Sequence, residues 1–248
     1  MFIKQKNIIA GRNPVIEALQ KGAGVDKVLL NRQASGDHIQ QIKELAKQHN
    51  IPVQLVPVEK LNQLTNVQHQ GVIAFKAAVT YHDLQQVIDF LNEKGEVPLL
   101  MILDGVTDVR NIGAIARSAV CCGAQAIIIP DKGVAALGED AMKSSAGALE
   151  HIHICRVNSL MKAIDTLHLN GIKVYASEMT ASQMLHELNF VEPCAIVMGS
   201  EGKGVFSGIQ KISDAVFKIP MAGQFESLNV SVAAGMILYE AMKQRMQV

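Results

Sequence analysis

From Leu99 onward, short apolar runs alternate with longer stretches whose apolar residues recur every three or four positions. The runs are Leu99–Leu103, Ala126–Ile129, Ile152–Cys155, Lys173–Ala176, Ala195–Met198 and Ala215–Ile219. Helices are predicted between most of them, over Ile112–Cys122, Glu139–Leu149 and Leu160–Leu169 (behind a Ser159 cap), and finally over Val230–Met246. A strand that is apolar on both sides has to be covered on both faces, and strands joined through helices run parallel. The pattern therefore predicts an α/β fold on a parallel sheet. A composition that is 49% hydrophobic but only 4% aromatic fits aliphatic strands of this kind.

The front of the chain carries a smaller version of the same alternation. Asn13 and Pro14 read as the cap and first turn of a helix that Gly22 ends, and Lys27–Leu30 reads as a strand. Asp37 reads as the cap of a helix with apolar Ile39, Ile42, Leu45 and Ala46, followed by a strand over Val53–Val56. A short helix around Leu61 and Leu64 and a strand over Val72–Ala77 complete the unit. An amphipathic helix over Asp83–Asn92 and the polar Glu93–Glu96 follow. The predicted organisation is a small α/β domain over 1–77, a connection over 78–95 and a larger domain over 96–248.

Charge separates these regions although the chain is neutral overall. Residues 1–77 hold ten Lys or Arg against five Asp or Glu, whereas residues 95–248 hold twelve against fifteen. A basic front on a mildly acidic body suits a nucleic-acid-gripping module joined to a catalytic one, and it equally suits ordinary surface charge. The four cysteines have no C-x-x-C spacing and the eight histidines form no zinc-ligand pattern, so reduced thiols and no metal are expected. With no signal-peptide-like start and no apolar run of membrane-spanning length, a cytoplasmic protein is expected.

The common nucleotide signatures are missing: no G-x-x-x-x-G-K-[ST], no G-x-G-x-x-G after a first strand, no G-x-S-x-G. Three other segments lie just past predicted strands, where open parallel sheets bind ligands. The first runs from Leu103 to Gly113 into a helix carrying Arg117. The second is Met198-Gly199-Ser200-Glu201-Gly202-Lys203-Gly204. The third is Ile219-Pro220-Met221 followed by Ser227-Leu228-Asn229-Val230-Ser231. Taken singly, Asn111 is equally a helix cap, Arg117 a solvated arginine, Glu201 a turn residue, and Ser227 and Asn229 caps.

Taken together and in this order, the three segments resemble the sequence motifs of the SpoU-type methyltransferases of the SPOUT superfamily: N-x-G-x-x-x-R at Asn111, Gly113 and Arg117, G-S-E-G-x-G at Gly199–Gly204, and I-P-M with S-L-N-V-S at Ile219–Met221 and Ser227–Ser231. Gly11–Val15 and His69–Val72 resemble the ends of the ribosomal-protein-like, RNA-binding domain that one subgroup carries in front. One departure is Val109-Arg110, where many relatives have proline after the aspartate; Arg110 is then a further candidate for RNA contact.

The resemblance implies a parallel-sheet domain with a trefoil knot, one of the rare exceptions to unknotted topology, and a homodimer with the active site near the subunit interface. It implies S-adenosylmethionine as cofactor, held by Gly199, Ile219 and Leu228, with Arg117, Glu201, Asn229, Asn111 and Ser227 acting in catalysis or RNA placement. The reaction it implies is methylation of a ribose 2′-hydroxyl in RNA rather than DNA, with a guanosine of 23S ribosomal RNA as the leading substrate and transfer RNA as the second. A catalytically silent RNA-binding ribosome-assembly protein is an alternative of a different class, and a nucleotide-binding metabolic enzyme is disfavoured by the basic front and the missing phosphate loops. Arginine stays protonated at every ordinary working pH, so Arg117 is expected to grip a phosphate rather than act as base, with Glu201 and Asn229 holding it.

Overall fold

The computed structural model describes residues 8–21, 24–49, 51–134, 137–223 and 227–247. They fall into two compact units, 8–80 with 137–138, and 81–134 with 139–247.

The first unit contains β1 (Ile8–Ala10), α1 (Arg12–Gln20), β2 (Val25–Asn31), α2 (Asp37–Gln48), β3 (Val53–Val56), α3 (Val58–Leu64) and β4 (Val72–Lys76). Its sheet has the order β1-β4-β2-β3. β4 runs antiparallel to both neighbours and β3 parallel to β2. Val15 and Leu19 of α1 and Ile39, Ile42 and Ala46 of α2 are buried against Val28, Leu30, Val72 and Ala74 on one face of this sheet. Leu61 closes the other face over Leu29 and Ile73. Two predicted caps are displaced by one or more residues. Glycines 11 and 36 occupy the cap positions, which places Asn13 inside α1 and Asp37 at the first position of α2. A glycine reaches the extended, positive-φ geometry required there without strain. Gly22, expected to end the first helix, lies outside the described residues, and β1 was not foreseen because three residues are too short for a periodicity to register.

The second unit begins earlier than the sequence suggests. β5 (Tyr81–His82) and α4 (Leu84–Glu93), which fall in the stretch read as a connection, are part of it. The Asp83 carboxylate caps α4 by accepting the Gln86 N–H at 3.1 Å. Leu84, Val87, Ile88 and Leu91 are buried in the same core as Leu100, Ile128 and Ile164, so this amphipathic stripe is a layer of the domain, not a tether.

Beyond it follow β6 (Leu99–Asp104), α5 (Val109–Cys121), β7 (Ala126–Pro130), α6 (Glu139–Ser144), β8 (His153–Val157), α7 (Leu160–Leu169), β9 (Lys173–Ser177), β10 (Gln183–Met184), β11 (Cys194–Gly199), α8 (Ser207–Ile212), β12 (Ala215–Lys218) and α9 (Val230–Arg245). The eight strands form one sheet in the order β10-β12-β9-β11-β6-β7-β8-β5, and every pairing is parallel. Leu99–Leu103 and Ala195–Val197 have no exposed surface, the mark of central strands covered on both faces. After β9 the chain moves to the sheet edge, returns to the centre as β11, leaves again to β12, and finally packs α9 against α5. This out-and-back path through the carboxyl-terminal third gathers the ends of β9, β11 and β12 at one place.

The helix expected over Glu139–Leu149 is broken after Ser144. The Ser144 hydroxyl donates to the carbonyls of Ala141 and Val109 at 3.0 and 3.2 Å, and the Ser145 hydroxyl donates to Met142 at 3.0 Å. Such back-bonding competes with helix propagation; Ala146 and Gly147 then take positive φ, and a single 3-10 turn, Ala148–Glu150, resumes. The four cysteines are free, and burial pushes the thiols of Cys155 and Cys194 up to about 12 and about 11. No helix of the described residues is long and apolar enough to cross a membrane.

Candidate active site

At the carboxyl ends of β9, β11 and β12 lies a cavity of about 630 Å3. Met198, Ile219, Leu228 and Ala233 give it apolar wall, and the loop from Gly199 to Gly204 gives it exposed backbone. That loop is tightly closed. The Gly204 N–H donates to the Ser200 carbonyl at 3.0 Å, and the α-carbon of Gly199 lies so close to Gly204 and Val205 that any side chain at 199 would overlap their backbone. Asp104, at the end of β6, secures the loop's exit by accepting the Phe206 N–H at 2.7 Å.

The loop presents Glu201 to two amides. Asn229 donates through Nδ2 to Glu201 Oε1 at 2.8 Å, Asn111 donates to the same oxygen at 3.3 Å, and Asn229 Nδ2 also reaches Asn111 Oδ1 at 3.2 Å. Residues 90 and 118 positions apart thus form one hydrogen-bonded cluster. Each comes from a different one of the three segments singled out by sequence. Asn229 is in addition the cap of α9, its Oδ1 accepting the Ser231 N–H at 3.0 Å.

Asn111 itself is not a cap. α5 begins two residues earlier, capped by Asp108, which accepts the Arg110 N–H at 2.8 Å. Asn111 is thereby free to project toward Glu201 from within the first turn. Arg110 is committed to Asp108, with Nη2 2.7 Å from Oδ2, and its guanidinium holds that carboxyl below the usual range. Gly113 is where α5 meets α6; a methyl group there would collide with the Ser144 side chain and lie 2.8 Å from the Ser145 nitrogen.

Of the eight residues expected at the site, Gly199, Glu201, Ile219, Ser227, Leu228 and Asn229 line the cavity, and Asn111 joins through the cluster. Arg117 does not. It is exposed and makes no hydrogen bond or ion pair with a described residue, so the expectation that Glu201 and Asn229 hold it is not met within one chain. Helical geometry explains this: six residues beyond Asn111, Arg117 lies about 9 Å along α5 and points about 120° away from it. Sequence reasoning missed Glu178, a half-buried carboxylate in the cavity wall, although its place directly after a strand was a usable signal.

A cavity of this size, mixing apolar wall with accessible peptide groups, suits a nucleoside-sized ligand. The glycine backbone can hydrogen-bond a base or ribose edge, and the apolar side chains can cover its faces. On these grounds the residues present fit S-adenosylmethionine.

Two family profiles cover almost the whole chain. That of the SpoU rRNA methylase family matches residues 98–239, and that of RNA 2′-O ribose methyltransferase substrate binding matches residues 8–82. A Bacillus subtilis protein named for the TrmH family of tRNA/rRNA methyltransferases is 37% identical over 242 residues, spanning 98% of this chain and 97% of its own. Among solved structures, the SpoU methyltransferase AviRb from Streptomyces viridochromogenes, in complex with AdoMet, superposes with a TM-score of 0.63. It is 25% identical and covers 97% of this chain and 91% of its own. The TrmH/SpoU tRNA modifying enzyme of A. aeolicus has a TM-score of 0.56 at 28% identity, over 66% of this chain and 85% of its own.

Proposed function

Because the chain belongs to the SpoU methylase family of S-adenosylmethionine-dependent RNA 2′-O-ribose methyltransferases, we propose that it methylates a guanosine ribose in 23S ribosomal RNA, holding the cofactor in the cavity at Gly199, Ile219 and Leu228. The observation that carries this reading is the convergence of the Asn111 and Asn229 amides on one carboxylate oxygen of Glu201, which lines that cavity. Two features favour ribosomal over transfer RNA. The front of the chain matches the substrate-binding family over residues 8–82, and the A. aeolicus tRNA modifying enzyme aligns with only 66% of the chain.

S-adenosylmethionine, when bound, supplies an electrophilic methyl group on a sulfonium. A ribose hydroxyl is a weak nucleophile, so the chain has to align it and ease loss of its proton. Glu201, fixed by two amides, keeps the loop tip and the start of α9 in register, with Ser227 beside them to contact the nucleotide. Arg117 is always charged; its task is to hold a phosphate next to the target ribose and to stabilise the developing alkoxide.

Arg117 reaches such a site most readily in a homodimer. The first three turns of α9 are apolar on two faces: Val230, Ala234, Ile237 and Leu238 are buried, while Val232, Met236 and Tyr239 form an exposed stripe on the opposite face. A helix of this kind is normally covered all round. The stripe belongs to the α5–α9 pair that carries Arg117, and a second copy seated on it would bring that arginine to the partner's cluster.

The test is methyl transfer from labelled S-adenosylmethionine to unmodified ribosomal RNA and, separately, to total transfer RNA. Label recovered as 2′-O-methylguanosine in 23S RNA, and lost in Arg117→Ala, is the expected result. Label in transfer RNA alone would overturn the substrate assignment.

A further inference from the structure

Glu178 belongs to none of the three motifs and takes no part in the Asn111–Glu201–Asn229 cluster, yet it lines the same cavity. It is the first residue past β9, where its N–H donates to the Phe217 carbonyl at 2.8 Å. Its carboxylate is held from two sides. Gln210 of α8 donates through Nε2 to Glu178 Oε2 at 2.9 Å and to the Val205 carbonyl at 2.7 Å, clasping the carboxylate to the glycine loop's exit. On another side lies Gly204, where even a methyl group would sit 2.8 Å from Oε2. One oxygen is therefore fixed and used. Among the described residues no donor reaches the other, Oε1, and no cation pairs with the group. A half-buried carboxylate with unspent acceptor capacity, facing the cavity, is open to a donor from a ligand.

Resting on the placement of the cofactor in this cavity, we propose that Glu178 is the acceptor that reads the ribose diol of S-adenosylmethionine. The cofactor also offers positive groups, but Lys203 and Lys218 line the cavity together with Glu178 and Glu201. Among the described residues the wall carries two charges of each sign, which leaves little net field for a cation. Two adjacent hydroxyls are neutral donors whose spacing suits a carboxylate fixed in orientation. A carboxylate close behind a parallel strand holds a ribose in the same way in dinucleotide crevices. Gln210 and Gly204 are then positioning residues, one orienting the carboxylate and the other leaving room for it.

Calorimetric titration of the full-length protein separates the possibilities without any turnover. The probes are S-adenosylmethionine, S-adenosylhomocysteine and the 2′,3′-dideoxy analogue of the latter, each titrated against wild type and Glu178→Gln. The glutamine is isosteric and keeps the Gln210 contact, and a melting curve confirms that the variant is folded. Glu178→Gln is expected to weaken S-adenosylmethionine and S-adenosylhomocysteine alike, by about tenfold, the size of a charge-assisted hydrogen bond. Removing the diol should cost the wild type a similar factor and the variant almost nothing. Independent, additive losses would overturn the assignment. So would weakening of S-adenosylmethionine with S-adenosylhomocysteine unaffected, because the carboxylate would then be reading the sulfonium charge. Leu228→Glu tests the cavity itself. Unchanged affinity there removes the cofactor placement and this inference with it, whereas loss there with Glu178→Gln unaffected removes only the role of Glu178.

Discussion

Asn229 gives its side-chain amide to Glu201 at 2.8 Å while its carbonyl oxygen accepts the Ser231 backbone N–H at 3.0 Å. One residue thus starts the last helix and fixes the loop that closes the cavity. Placing α9 and placing Glu201 are consequently a single structural event, and substitutions can separate its two halves.

Asn229→Ser keeps an oxygen for the helix cap and removes the amide from Glu201. Methyl transfer is expected to fall roughly tenfold or more, with stability within about 0.5 kcal/mol of wild type. Asn229→Ala loses the cap as well and should cost about 1 kcal/mol of stability in denaturant titration. Full activity in the serine variant would show that Asn229 is a cap and nothing else.

Gly113→Ala places a methyl group against Ser144 and the Ser145 nitrogen. Since neither helix can give way cheaply, a loss of about 1–3 kcal/mol is expected from overpacking. Ser144→Ala in the same chain should recover part of it, because the hydroxyl is the nearest obstacle. A melting temperature unchanged by Gly113→Ala alone would mean that α5 and α6 separate freely.

His153 makes edge contacts with the rings of His82 and Phe90. Burial first, then the nearby His82 and Lys94, hold its pKa below the ordinary 6.5, with Glu96 opposing them. The unfolded chain therefore binds this proton at a higher pH than the folded one. As pH falls through 6.5 the unfolded state gains stability and the folded state lags behind, so stability decreases toward acid. His153→Phe, which keeps a ring in place, should flatten the loss of melting temperature between pH 7 and pH 5.5. A slope identical to wild type would assign the acid sensitivity to other groups.

The apolar stripe of α9 should be covered in solution. Sedimentation is expected to give twice the chain mass of 26.8 kDa, and Met236→Glu, a charge in the middle of the stripe, should return the protein to one chain and abolish transfer with cofactor binding retained. A monomeric wild type would sink the homodimer and with it the role given to Arg117 across the interface.

The alternation of apolar runs with amphipathic stretches was enough to specify a parallel α/β sheet, because a strand without a polar side has to lie between two layers. Six strands of the second unit and the Ser159 cap were legible within a few residues, since burial is written into local sequence. Shorter elements were not: β5 and β10 have two residues each and are held by pairing alone. Nor was the break after Ser144, which depends on a serine hydroxyl bonding into a neighbouring helix. The three motifs could be read as a set, but not which of their side chains meet. That was decided by strand order: β11 lies beside β6, and α9 returns to α5, so Asn111, Glu201 and Asn229 converge although far apart in sequence. The same geometry turns Arg117 away from them and sets Glu178 in the cavity wall. Sequence carries the periods that determine which surfaces are buried, whereas contacts between distant segments exist only once the sheet has brought the ends of its strands together.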